Sequence, residues 1–303
     1  MLRPAIIALF LTAIATGTVF AAKPGGPPSG GGTTDPQVGY IRILPSGSRE
    51  IRLAGADGTG SVALATTRNR NVTMSLSPQA THQIAYTDGP ALKLLTYEMT
   101  STGPRTVSNI SLVTFGNLTP AYVDFSPAGT HLVYFDPRDN SVYVHDLATN
   151  SRTKVVDQAQ WLGDLEFSHD GSKVIYSLTV DSSLLIVQFR SVPITGGAST
   201  DLPIRGKYGL FSVGHSDDRI VADTMGEADT GAITLFPADG SSPTRLATGY
   251  APALLCGTDL LYQRRNLSAK GSISILKLDL TSNATTTYSS ADNMWADTFP
   301  DCQ

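Results

Sequence analysis

Apolar and polar residues alternate along most of this chain in short runs of five to eight, broken by clusters of glycine, proline, serine, asparagine and aspartate. SVYVHDL and ISILKLDL have the period of two expected of half-buried strands, and no long helical period follows the N-terminus. The strands recur in a fixed order at a period of roughly forty to fifty residues. The clearest copy is AYVDFSPAGTHLVYFDPRDNSVYVHDLATNSRTKVVD from Ala121, and GDLEFSHDGSKVIYSLTVDSSLLIVQFRSVPITGGASTDLP follows it. Each copy reads as strand, tight turn, strand, hairpin, strand, turn, strand. Such a unit cannot bury its apolar faces alone and must stack on copies of itself.

An aromatic residue in the second strand marks the copies: Tyr40, Tyr86, Tyr134, Tyr176 and Tyr262, with Ala222 in that place in the fifth. Ahead of it lies a turn, as in LSPQATH, FSPAGTH and FSHDGSK. There proline presets φ, glycine permits positive φ, and serine or aspartate oxygens bond nearby amides. The first copy lacks its opening strand, and NMWADTFPDCQ at the other end of the chain supplies one, Trp295 to Asp301 matching the shape of Tyr122 to Ala128. These features predict an all-β, six-bladed β-propeller of four-stranded blades, its ring closed by a C-terminal strand that completes the first blade. Closure removes the exposed sheet edges that invite aggregation.

FSPAG and FSHDG, the aromatic second strand, and then VYVHDLAT or LFPADGSSPTRLAT resemble the propeller repeats of TolB-type exported bacterial proteins. The resemblance runs from Val38 to Gln303 and is strongest in the third and fourth copies. It implies a partner-binding disc, although blades of this kind also serve as peptidase lids and lyase scaffolds. No second domain of the TolB kind is legible ahead of the blades, and no hydrolase domain after them.

Segments 1–21, 22–37 and 38–303 divide the chain. Arg3, the apolar run from Ala5 to Ala15 and the small residues around Ala21 predict an export signal cleaved before Ala22. That apolar run is shorter than a membrane span, so the mature chain is expected in the periplasm or outside the cell, not spanning a membrane. KPGGPPSGGGTTDPQ reads as a tether. Cleavage removes only Arg3 from 22 basic residues, which leaves 21 against 26 acidic ones. With no basic run, nucleic acid is not an expected partner.

Export makes a disulfide reasonable for the two cysteines, Cys256 and Cys302. In a closed ring they end the inner strands of neighbouring blades; two unpaired thiols are the alternative. The five histidines (His82, His131, His145, His169 and His215) scatter over different blades without ligand spacing, so neither a metal nor another cofactor is expected. GxSxG is absent, and no catalytic residue is assigned. Asp136, Asp139 and Asn140 read as a hairpin turn rather than a calcium loop.

One constellation remains. Asp124, Glu166 and Asp297 share a place on three inner strands, with Ser75, Ser212 and Leu254 in the other copies. They either gather at one depth of the central channel, where repulsion raises a carboxyl pKa, or each bonds the turn of its own or the next blade. The expectation is a non-catalytic binding module for a protein, peptide or cell-envelope component. The rival is a channel-site enzyme of lyase or lactonase type, assembled from several blades.

Overall fold

The computed structural model describes residues 37–298, apart from 56–59, 70–71, 78–80, 160–161, 215–216, 225–230, 239–240, 256–258, 267–271 and 290–292. At residues 37, 250–255, 265–266, 272–273, 288–289 and 293–298 it describes the backbone alone. The expected export signal, the expected tether to residue 36 and both cysteines lie outside the described residues.

Among the described residues the chain forms six four-stranded antiparallel sheets. The inner strands of blades two to six are Met74–Leu76, Ala121–Phe125, Leu162–Phe167, Tyr208–Val213 and Tyr250–Leu255. The inner strand of blade one is the C-terminal Asn293–Thr298, which pairs with Gln37–Ile43. Each inner strand touches the inner strands of the blades on either side, including blade six against one and one against two. The ring is therefore closed through the C-terminus, as the split first repeat predicts.

The motif turns are built as their residues require. In blade three, the Gly129 N–H donates to the Ser126 carbonyl at 2.8 Å, and Gly129 takes φ 67°. The Ser126 hydroxyl oxygen accepts the His131 N–H at 3.0 Å. Gly171 repeats the arrangement in blade four at φ 68°, a left-handed conformation that a side chain would strain.

The core lies between blades rather than within them. Six apolar clusters each join the facing surfaces of two successive sheets. Between blades one and two, for example, Ile41, Ile51 and Leu53 pack on Met74, Ile84 and Tyr97. The landmark residues are all buried. This is why a degenerate repeat suffices to specify the fold: each face needs only apolar volume at alternate positions.

Candidate functional site

The register puts Ser75, Asp124, Glu166 and Ser212 opposite the residue just before the landmark, at one level of the ring. Asp297 holds that place in blade one, opposite Gly39, but its side chain lies outside the described residues. Blade six differs from the sequence alignment. Ala253, not Leu254, is the residue there, because Leu255 pairs with Asp259 and Ala253 with Leu261.

These side chains fasten each inner strand to the next. The Ser75 hydroxyl oxygen accepts the Phe125 N–H at 3.0 Å, and its hydroxyl donates to Asp124 Oδ1 at 3.0 Å. Asp124 Oδ2 accepts the Phe167 N–H at 2.8 Å, and Glu166 Oε2 accepts the Val213 N–H at 2.6 Å. An inner strand has a sheet partner on one side only, so an acceptor from the neighbouring blade satisfies a donor that would otherwise be stranded. Burial nevertheless pushes the Asp124 carboxyl up to about 6, against the three hydrogen bonds that favour its charge.

A second polar level lies two residues earlier on the inner strands, and sequence reading missed it. It comprises Thr73 in blade two, Tyr122 in blade three and Asp164 in blade four. The inner-strand ladder is interrupted there in every blade but the second, by a bulge or register shift. Bulges occur next to functional sites, where they re-aim a side chain. Tyr122 sits on one at φ 56°, an unfavourable conformation for a bulky residue. In blade four the bulge sets Gly163 and Asp164 opposite Ser177.

Asp164 accepts the Leu165 N–H at 2.9 Å and, across the blade boundary, the Phe211 N–H at 3.1 Å. It is half-buried, with protein packed closely around it. That enclosure, reinforced by the negative charges of Asp223 and Asp124, pushes its carboxyl up to about 8. Burial, together with the charge of Asp164, also raises the Tyr122 phenol. Beside Asp164, the fully buried Ser177 hydroxyl has no protein partner, and neither has the buried Thr73 hydroxyl. The Ser177 oxygen fills the space of the missing Gly163 side chain, lying 2.6 Å from where a Cβ would stand.

Among the described residues the remaining sequence candidates have structural partners, while His215 lies outside them. Asp136 is held by Arg138 and Arg152, and Asp139 accepts the Tyr143 hydroxyl at 2.7 Å and pairs with Lys154 at 2.9 Å. Asn140 takes φ 55°, as a hairpin residue does. His145 is buried with Nε2 3.0 Å from Asn150 Oδ1, and burial lowers its pKa. His169 pairs with Asp218 of the next blade at 2.9 Å.

Solved structures place the fold in company. TolB from Acinetobacter baumannii is similar over 87% of this chain with a TM-score of 0.68 and 14% identity, and this chain covers 66% of it, just under two-thirds of its length. A chain of the nidogen/laminin complex is similar over 88% of this chain, with a TM-score of 0.63 and 10% identity, and is covered to 99%. No protein-family model and no curated protein sequence matches. At these identities the likeness defines a β-propeller of the TolB type in fold alone. Since 928 solved chains match, the fold by itself selects no activity.

Proposed function

We propose that this chain is an exported β-propeller that acts as a non-catalytic binding module, docking a protein, peptide or cell-envelope component at the ring's central opening. The observation that carries this reading is the use made of the inner-strand acids. Asp124 and Glu166 spend oxygens on the backbone of the next blade, and so frame the opening instead of offering free groups for chemistry. A frame tied strand to strand is preorganised, and preorganisation lowers the ordering cost of binding. One structural neighbour belongs to a complex of two proteins by its own name, which shows that a propeller of this extent can sit in such a complex.

Export rests on the Arg3-to-Ala21 signal and on the tether that follows it. Sequencing the N-terminus of the protein recovered outside the inner membrane should read from Ala22. An uncleaved chain in the inner-membrane fraction would contradict it. Binding is tested by co-purification from envelope extracts, with metal analysis of the same sample. A stoichiometric partner is the expected result.

One observation favours the channel-site enzyme as a second reading: Asp164, with a carboxyl at about 8, stands near Tyr122. Carboxyls held near neutrality are enriched at catalytic sites. A bound metal lost in Asp124→Ala and Glu166→Ala, with no partner recovered, would move the assignment to that reading.

A further inference from the structure

We infer that a cleft between blades four and five is a receptor site for the C-terminal residue of a peptide. The apolar side chain of that residue lies on the cleft floor, and its carboxylate sits between the Lys173 ammonium and the Ser191 hydroxyl. Residues of the motif turns line the cleft, among them Lys173 and Asp218, and no inner strand does. It is therefore separate from the central opening, and the inference goes beyond the binding-module reading without depending on it.

The cleft stands where blade four departs from the repeat. The third-strand residue that pairs with the one before the landmark is Leu53, Leu94, Val144 and Leu235 in blades one, two, three and five. Each of these packs into the core shared with the following blade. Blade six has Lys277 there, paired with Asp259 at 2.7 Å. Blade four has Ser191. Alternation along the strand puts Ser191 in line with Val187 and Phe189, which pack against blade five. Serine is shorter than leucine or valine, and a cavity of about 260 Å³ is open beside it.

The lining has the chemistry that a chain end requires. Ile175, Ile204, Ile220 and Phe236, all buried, form an apolar floor. Ser191 is only 8% exposed, and among the described residues its hydroxyl has no hydrogen-bond partner. A buried polar group in that position needs a water or a ligand. Lys173 is exposed at the rim and makes no ion pair among the described residues. The opposite charge comes from Asp218, whose Oδ1 accepts the His169 N–H at 3.1 Å and stands 2.9 Å from its Nδ1, leaving Oδ2 for a ligand. A terminal residue answers each of these groups. Its carboxylate accepts from the ammonium and the hydroxyl, its peptide N–H donates to Asp218, and its side chain covers the floor. A fatty acid would offer Asp218 no donor. The cavity is also smaller than the roughly 300–1,000 Å³ of sites that take a whole small molecule, which suits one residue at the end of a longer chain.

The full mature chain is titrated calorimetrically with an acetylated tripeptide ending in leucine, as the free acid and as the amide. The same acid ending in glycine, and free leucine, are titrated alongside. Saturable one-to-one binding of the leucine-ended acid is the expected result, with the amide weaker by about tenfold or more. The glycine-ended acid should be weaker by roughly tenfold, since it covers none of the floor. Ser191→Leu installs the residue that other blades carry, so the fold should persist while binding is lost. Lys173→Gln should weaken the acid by about tenfold and leave the amide unchanged, a difference that a purely structural role would not produce. Glu98→Gln, at an exposed ion pair with Arg105 in blade two, should change nothing. Equal binding of acid and amide, or undiminished binding to Ser191→Leu, overturns the inference. So does free leucine bound as tightly as the peptide, and so does the failure of every probe, the cleft then holding water only. An envelope partner recovered alongside any of these failures would leave the binding-module reading standing.

Discussion

Asp164 is where a single residue most affects both stability and the site. Its carboxyl titrates near 3.8 in an unfolded chain and at about 8 in the fold, so folding takes up a proton. The contribution is complete below about pH 4 and is lost as pH rises through about 8. His145 runs the opposite way: with its pKa lowered by burial, stability rises as pH climbs toward the usual histidine value and is constant above about 6.5. Between pH 6.5 and 9 the Asp164 effect should therefore dominate and remove about 2 kcal/mol of stability. Asp164→Asn cannot ionise and should flatten that stretch of the curve. Melting temperatures of both proteins across this window test it, and a parent that melts identically at pH 6.5 and 9 would refute the assignment. The sequence does carry a trace of this residue. Gly163 before Asp164 inside a strand signals a bulge, and polar Thr87, Ser177, Asp223 and Gln263 follow the landmark position, where Ile41 and Phe135 are apolar. Inspecting only the places aligned with Asp124 passes over them, because a bulge breaks the period of two on which that alignment depends.

At the scale of elements, the inner strands are the weakly paired members of each sheet, and side chains from the preceding blade compensate. Asp124 joins three of them: it receives the Ser75 hydroxyl from blade two, sits on blade three and accepts the Phe167 N–H of blade four. Asp124→Ala should cost about 2 kcal/mol, since it leaves a buried N–H and a hydroxyl without their acceptor. Asp124→Asn keeps one acceptor oxygen and should cost less. Asp201→Ala, which breaks only an exposed pair with Arg190, should cost under about 1 kcal/mol. Urea unfolding of the three variants gives the ranking, and equal losses at Asp124 and Asp201 would show that the link between strands contributes nothing. The strands themselves are legible in the sequence, because alternation and turn residues are local signals. The links are not, because residues more than forty positions apart make them, and their geometry appears only once the ring has set each blade's rotation.

For the whole molecule, the decisive feature is that the first blade is assembled from both ends of the chain. The split repeat reveals this in the sequence, since the first copy lacks its opening strand and NMWADTFPDCQ supplies one, and Asn293–Thr298 does pair with Gln37–Ile43. Without the C-terminal strand, Gln37–Ile43 would expose an unpaired edge. Blades six and two would also lose the inner strand that separates them. Deleting everything after Ala291 should therefore abolish cooperative unfolding and promote association through the open edge, rather than trim stability by a small increment. The Cys256–Cys302 pairing, proposed from the sequence, would add a covalent lock to the same closure. Closing its loop would contribute about 4 kcal/mol in the chain-entropy model. Reductant, or Cys302→Ser, should then lower the melting temperature while leaving one sharp transition, whereas the truncation should remove the transition altogether. Calorimetry of the parent, the reduced protein and both variants separates the two contributions. A truncated chain that melts like the parent would mean the ring closes without its last strand, and free thiols in the unreduced protein would eliminate the lock alone.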